Sequence, residues 1–332
     1  MINQKLWLRV NGKFNFSLLK KIYTTKNSKN LICTNIIGDK YQKYWNKYCK
    51  KNWVSYCKKH SINLAYFDDR IELNEKNLNN FAPTWQRLLI GNELKKKFRS
   101  IENVCYLDTD IQINHFLAPN IFDNYNKKKI SMISCVKDMP YSRNFIDLQK
   151  TLSYFRNKFV SKKYPLNSSS LLTVKQLYTY NKLKYYNNYA NAGVIIFNLK
   201  NHSKILFDCF KKFLNKNLLE RDQTAINFYL QEKKLINWID YKFNTLWVYE
   251  MCFKYPFLYF KKKNNEQLIR DCMFSTFLGS YFIHFAGNWN ENKYIKYSNN
   301  LNEHKKKKLL HIGKYYKKYI DPKVRKRKLI LS

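Results

Sequence analysis

The sequence predicts an α/β protein built on a mixed, mostly parallel sheet with helices on both of its faces. Short apolar runs alternate with stretches of helical spacing, the pattern of a strand-helix-strand architecture. One apolar run ends in two carboxylates a residue apart, Asp108 and Asp110, and ligands of such sheets sit at the carboxyl ends of the strands. A chain of 332 residues with 45% hydrophobic content can also bury the core that such a fold needs, as one large domain or two small ones.

Residues 1–30 carry no apolar core of signal-peptide length and are set apart as an N-terminal extension. Residues 31–37 read as a buried strand. Tyr41, Trp45, Tyr48, Cys49, Trp53 and Tyr56 follow at helical spacing, and a strand over 62–67, ending in Asp68 and Asp69, closes the first unit. Pro83 opens a second helix that carries Trp85, Leu88, Leu89 and Leu94, after which the chain returns through a strand over 104–107. A further strand spans 130–136. Residues 140–188, rich in Tyr, Lys, Ser and Asn, read as an irregular excursion with its own helix near 145–159. The sheet resumes with a strand over 194–197, followed by helices over 203–214 and 222–231 and a late strand over 281–285. From His304 to Ser332 the chain is a basic tail, with Lys305 to Lys308 and Lys323 to Lys328 as its charge clusters.

The formal charge of +39 would attract polyanions. An abundance of Lys, Asn, Ile, Tyr and Phe with scarce Gly and Pro is also what an AT-rich genome produces through its codons, so the excess has a mutational explanation as well as a functional one. The eight cysteines are dispersed and none forms a Cys-x-x-Cys pair, which predicts free, mostly buried thiols in a reducing compartment. No stretch approaches the roughly 18 uncharged residues of a membrane span. The expected location is the cytoplasm, with a peripheral membrane habit open to the basic tail.

In a half-buried strand, residues two apart share a face, so Asp108 and Asp110 are expected to point the same way. A divalent cation relieves the repulsion of such a pair. Asp-x-Asp alone recurs by chance, but four further segments accompany it: Thr84-Trp-Gln-Arg87-Leu, Tyr189-Ala-Asn191-Ala-Gly193, Arg221-Asp222-Gln223-Thr-Ala-Ile-Asn227 and His284-Phe-Ala-Gly287. Each has a bland reading. Arg87 suits a solvated helix face, Asn191 a tight turn before a strand, Asp222 a helix cap and His284 an aromatic core strand. Gly287, soon after His284, lets backbone amides approach a phosphate. The stripe from Tyr41 to Tyr56 reads as core packing, with Tyr41 the one member placed to stack on a base.

With Tyr106-Leu-Asp108-Thr-Asp110, these segments in this order resemble the GT-A (Rossmann-like) glycosyltransferases, in particular family eight, the bacterial lipooligosaccharide galactosyltransferases and glycogenin. The resemblance covers roughly residues 31–290 and implies a GT-A domain over 31–303, with 140–188 on the acceptor side. It implies a metal held by Asp108, Asp110 and His284, with Mn²⁺ suiting the mixed carboxylate and imidazole set and Mg²⁺ as the alternative. It places Arg87 beside the donor, Asn191 and Asp222 on the donor sugar, and Gln223 at the reacting face of the anomeric carbon. Thr34, Tyr41, Asp108, Gly287 and Lys293 complete the expected nucleotide-sugar contacts. The chain departs from the family in having Asn288-Trp-Asn290 after the motif glycine, with its first lysine only at Lys293, and in having Thr34-Asn35 and then Asp39 after the first strand.

The function so implied is transfer of a hexose from a nucleotide-diphosphate sugar, uridine diphosphate being the expected carrier, to a glycan or glycolipid acceptor with retention. An inverting transferase of the same fold would need a carboxylate base such as Asp138 or Asp222. A nucleic-acid binder or metal-dependent nuclease is the rival from another class, but a nuclease calls for more carboxylates around two metals, and no nucleic-acid partner is expected. In the tail, Leu309, Leu310, Ile312, Tyr315, Tyr316, Tyr319 and Ile320 form an apolar stripe beside lysines, which suits an anionic membrane surface or packing on the domain.

Overall fold

The structure is a computed structural model that describes residues 19–71, 83–98, 100–123, 125–137, 139–140, 172–255, 257–258, 266–287 and 289–295. The expected helix near 145–159, Asp138, and the tail 304–332 lie outside the described residues. In chain order the strands are β1 (Leu19–Tyr23), β2 (Asn30–Asn35), β3 (Asn63–Phe67), β4 (Asn103–Leu107), β5 (Ile111–Ile113), β6 (Ile130–Ser134), β7 (Ala190–Asn198), β8 (Ile236–Trp238), β9 (Thr245–Leu246) and β10 (Phe282–His284). The α-helices are α1 (Asp39–Tyr48), α2 (Lys50–Lys59), α3 (Ile90–Lys97), α4 (Val174–Tyr180), α5 (Leu199–Phe213), α6 (Arg221–Glu232), α7 (Trp247–Phe253) and α8 (Glu266–Gly279).

Seven strands form one sheet in the order β1-β3-β2-β4-β7-β6-β8, and three form a small sheet, β5-β10-β9. Both faces of the large sheet are covered over its inner strands, so β2, β4 and β6 read as continuous apolar runs. Along β2, Leu31 and Cys33 join one core while Ile32 joins the other; Val104 and Tyr106 divide from Cys105 and Leu107 in the same way along β4. The aromatic stripe of α1 and α2 packs into the second of these cores. Its indoles of Trp45 and Trp53 meet edge to face with ring centres 5.6 Å apart.

Several expectations are revised. The first helix is two, α1 and α2, and the second is a 3₁₀ turn over Pro83–Leu88 followed by α3. Leu19–Tyr23, within the segment 1–30 set apart as an extension, is an edge strand antiparallel to β3. The sheet is more mixed than strand-helix alternation implied: β2 is parallel to both β3 and β4, yet β7 runs antiparallel to β4 and to β6. An apolar run reports burial on both faces and carries no information on direction. All eight cysteines are free and buried, as expected, and burial pushes the thiols of Cys33, Cys49, Cys57 and Cys105 well above the usual range. Among the described residues, no helix is long and apolar enough to cross a membrane.

The direction of β7 positions the site. Because β7 opposes β4, Leu107 pairs with Val194, and the end of β4 lies beside the middle of β7. The Asp108 N–H accordingly donates to Gly193 O at 2.8 Å, joining segments far apart in sequence.

Candidate active site

β4 ends at Leu107, so Asp108 and Asp110 lie in the turn that carries the chain from the large sheet to β5, and not on one strand face as the spacing suggested. The turn brings them together because its two ends belong to different sheets. It is held firmly: the Cys49 thiol donates to Thr109 O at 3.2 Å, the Trp53 indole to Ile111 O at 2.8 Å, and the Ile113 N–H to Asn52 Oδ1 at 2.6 Å. The α2 helix thus clamps β5 by polar contacts reaching out of an otherwise aromatic face.

His284 ends β10, which pairs antiparallel with β5 so that His284 sits opposite Ile111. The Phe285 N–H donates to Asp110 O at 3.1 Å. The imidazole Nε2 then lies 3.2 Å from Asp110 Oδ1 and 3.8 Å from Asp108 Oδ2. One atom from each of Asp108, Asp110 and His284 falls within 4.8 Å of the others, the one set of its kind among the described residues. His284 is 2% exposed, whereas the side chains of Asp108 and Asp110 are 25% and 19% exposed and open toward solvent. Burial disfavours the imidazolium, but Asp110 and Asp108 outweigh it and raise the pKa of His284. The arrangement thus calls for positive charge between these three side chains, as a proton or a metal ion.

Behind the carboxylates lies Arg87, only 5% exposed, in contrast to the solvated face that its helical position allowed. Its Nη1 is 3.3 Å from Asp108 Oδ1 and its Nε is 3.0 Å from Asp222 Oδ2. Nε donates to Thr84 O at 2.9 Å and Nη1 donates to Ala192 O. The Tyr106 ring lies 5.0 Å beneath the guanidinium, and its hydroxyl donates to Asp108 Oδ1 at 2.8 Å. Burial opposes the Arg87 charge, yet Asp108, Tyr106 and Asp222 hold it more firmly protonated than usual. Arg87 therefore orients Asp108 and neutralises part of the acidic turn.

Asp222 is not the cap of α6. Residue Glu220 occupies that position with φ 61°, and Arg221 follows with φ 48°, two adjacent left-handed residues that hold the helix entry in a sparsely populated conformation. Asp222, 3% exposed, accepts from Thr84 Oγ1 at 2.6 Å beside Arg87. Burial pushes its carboxyl above the usual range against the pull of Arg87 and Thr84.

Asn191 lies within β7, not in a turn before it. Relative to β6, the strand shifts register between Asn191, which pairs with Ile133, and Ile195, which pairs with Met132. This bulge leaves residues 192–194 out of the ladder with β6, a common device beside functional sites. Asn227 of α6 anchors it, accepting from the Ala190 N–H at 2.7 Å and donating to Ala190 O at 2.9 Å. The same helix delivers Gln223, whose Oε1 accepts from the Asn191 side chain at 3.2 Å and the Ala192 N–H at 3.0 Å. Gln223 Nε2 lies 3.4 Å from Glu220 Oε2.

Asp108, Asp110, His284, Arg87, Asn191, Asp222 and Gln223 are thus brought together. The remaining expected contacts are Thr34, Tyr41, Gly287 and Lys293. Thr34 is fully buried within β2, with no hydrogen-bond partner for Oγ1 among the described residues, so its side chain does not reach the surface. Tyr41 is 49% exposed on α1. Gly287 is exposed with φ 73°, and Lys293, also exposed, holds its ammonium 4.9 Å from the Tyr294 ring centre. Asn244, absent from the expected set, joins His284 Nδ1 to Asn191. Its only sequence signal is an amide interrupting the apolar stretch around Phe243 and Leu246, which is too weak to single it out.

The sequence matches no protein-family model and no curated protein. Among solved structures, the chain is similar to a glycosyltransferase involved in the glycosylation of the major capsid of PBCV-1, with 14% identity over 80% of this chain and 97% of that one and a TM-score of 0.44. It is similar to the galactosyltransferase LgtC in complex with donor and acceptor sugar analogs, with 14% identity over 82% of this chain and 98% of that one and a TM-score of 0.45. A third likeness is to the glycosyltransferase GlyE of Streptococcus pneumoniae TIGR4, with 12% identity over 87% of this chain and 63% of that one and a TM-score of 0.43.

Proposed function

We propose that this chain is a metal-dependent glycosyltransferase that moves a hexose from a nucleotide-diphosphate sugar, with uridine diphosphate as the carrier, to a glycan or glycolipid acceptor. One observation carries the reading: Asp108, Asp110 and His284 converge from two sheets on a single point, with Arg87 behind them and the Asn191 and Gln223 amides alongside. Two carboxylates and an imidazole suit Mn²⁺ better than Mg²⁺, which prefers an all-oxygen shell. When bound there, a divalent cation supplies Lewis-acid neutralisation of a leaving diphosphate.

The residues divide the work. Asp108 and Asp110 present oxygens on the open side of the turn, and His284 closes the third side from β10. Arg87 and Tyr106 hold Asp108 in one orientation, which limits the reorganisation needed as charge develops on the leaving group. Gln223, half-buried beside Asn191, offers an amide rather than a carboxylate to the reacting centre. Asp222 is enclosed with Arg87 and Thr84, which disfavours it as a general base on an acceptor hydroxyl. Both features favour retention over inversion. They equally make its expected sugar contact indirect, exerted through Arg87.

The test is a screen of nucleotide sugars for Mn²⁺-dependent hydrolysis and for thermal stabilisation, since a ligand that binds only the folded state raises apparent stability. A uridine-diphosphate hexose should stabilise the protein in the presence of Mn²⁺ and be hydrolysed slowly. Proton NMR of fresh product should show the donor's anomeric configuration kept. Failure of every nucleotide sugar to bind with Mn²⁺ would overturn the reading, and an inverted product would overturn its stereochemical part.

A further inference from the structure

We infer that Asn244 is a positioning residue that sets the tautomer of His284 and links it, through a line of amides, to Gln223. The inference rests on the proposed metal-dependent reading of the site and extends it to a residue that reading does not require.

Every amide orientation in the line follows from two backbone donors. A backbone N–H can only donate, so the atoms that receive Ala192 N–H at 3.0 Å and Gly193 N–H at 3.0 Å must be oxygens, which identifies Gln223 Oε1 and Asn191 Oδ1. Asn191 then directs its NH₂ to Gln223 Oε1 at 3.2 Å. Asn191 Oδ1 faces Asn244 at 3.1 Å, so Asn244 presents its NH₂ there. Its oxygen is left facing His284 Nδ1 at 2.9 Å, and Nδ1 must therefore carry the proton.

The consequence falls on the opposite ring nitrogen. With Nδ1 protonated, neutral His284 presents a bare Nε2 lone pair to Asp110 and Asp108. That is the tautomer a metal ligand requires, and outer hydrogen bonds of this kind orient a ligating imidazole. The alternative tautomer would place a lone pair against Asn244 Oδ1 in a site that is 2% exposed, where no water can relieve it. Asn244 is itself 3% exposed, held where the short helical turn Tyr241–Asn244 meets β9, and β9 pairs parallel with β10. One side chain thus spans the metal-ligating edge and the sugar-facing edge.

The test uses the full-length protein labelled with ¹⁵N-histidine, whose six histidines keep the spectrum tractable, with His284→Gln to assign the signal. Without metal, His284 Nδ1 should carry a proton in wild type, whether the ring is neutral or is the imidazolium that Asp110 and Asp108 favour, and should lose that bias in Asn244→Leu. Mn²⁺ binding, read by electron paramagnetic resonance of free Mn²⁺ with and without uridine diphosphate, should weaken about 10- to 100-fold in Asn244→Leu. Asn244→Asp, nearly isosteric, separates the two arms of the residue. Its carboxylate still accepts the Nδ1 proton, so Mn²⁺ affinity should hold, but it cannot donate to Asn191, so kcat should fall; a purely structural role would move both together.

A wild type whose His284 Nδ1 carries no proton overturns the inference, as does a folded Asn244→Asp that loses Mn²⁺ affinity or an Asn244→Leu that binds Mn²⁺ like wild type. A wild type that shows the Nδ1–H form but binds no Mn²⁺ would instead overturn the metal-dependent reading and support the tautomer assignment.

Discussion

A Cβ placed on Gly193 would lie 2.3 Å from Cε1 of His284 and 2.7 Å from its Nδ1. No real side chain tolerates that approach, so the glycine at the bulge of β7 is the space into which the imidazole fits. The ring is fixed there, because the same Nδ1 bonds Asn244 and Nε2 faces Asp110.

Gly193→Ala should therefore displace His284. A misplacement of about 1 Å in such a site costs on the order of a hundredfold in rate, and overpacking of this kind costs about 1–3 kcal/mol of stability. Turnover, Mn²⁺ affinity and denaturant midpoint should all fall together. Normal turnover in the Gly193→Ala variant would show that the ring moves aside freely.

Loss of one metal-facing carboxylate should be more selective. Asp110 faces solvent on one side and makes its backbone contact through O, not through the side chain, so Asp110→Asn should fold. Turnover should drop by on the order of a hundredfold or more, the scale for removing a principal electrostatic stabiliser. Chelator should abolish wild-type activity and Mn²⁺ should restore it. Indifference to chelator would remove the basis of the proposed function.

Arg87 and Asp222 form a pair that is 5% exposed on each side. Breaking such a pair leaves an uncompensated buried charge, so Arg87→Met should cost about 3–5 kcal/mol in urea unfolding. Arg87→Met combined with Asp222→Leu should recover part of that loss, because the stranded carboxylate is gone, yet remain inactive because Asp108 has lost its partner. Additive losses in the double variant would show that the two side chains are not coupled.

Glu250 lies buried in α7, with Lys254 Nζ 2.7 Å and Thr276 Oγ1 3.1 Å from Oε2, while Oε1 has no partner among the described residues. Burial raises its pKa more than Lys254 and Thr276 lower it. A carboxyl whose folded pKa is raised binds its proton more tightly when folded, so its contribution is greatest below the unfolded value and is lost as pH rises through the folded one. Glu250→Gln should remove that component. Across about pH 4 to about pH 8, bracketing the ordinary glutamate value of about 4.3, the variant should gain stability relative to wild type as pH rises. A constant difference across the range would contradict this.

The strand-helix alternation and the segments that hold the candidate ligands were legible because both are written locally. The apolar runs of β2, β4 and β6 announce strands buried on both faces, and the aromatic stripe of α1 and α2 announces core. Shorter or more polar strands escaped: β1 mixes Lys20 and Lys21 with apolar residues at a sheet edge, while β5 and β9 are only 3 and 2 residues long. The late strand was anticipated at 281–285 because Phe282 to Phe285 is apolar around His284, but its partner β5 was not.

What the sequence determined by itself was therefore the inventory: Asp108, Asp110 and His284 as candidate ligands, with Arg87, Asn191, Asp222 and Gln223 in segments that could accompany them. Only the tertiary structure decided how they meet. The antiparallel course of β7 puts Gly193 beside Asp108, pairing of β10 with β5 brings His284 to Asp110, and burial converts Arg87 and Asp222 from solvated or capping residues into a charge pair. Asn244 acquires a role only there, because a hydrogen bond that selects a tautomer depends on the distance and orientation of groups remote in sequence, and residue spacing along the chain encodes neither.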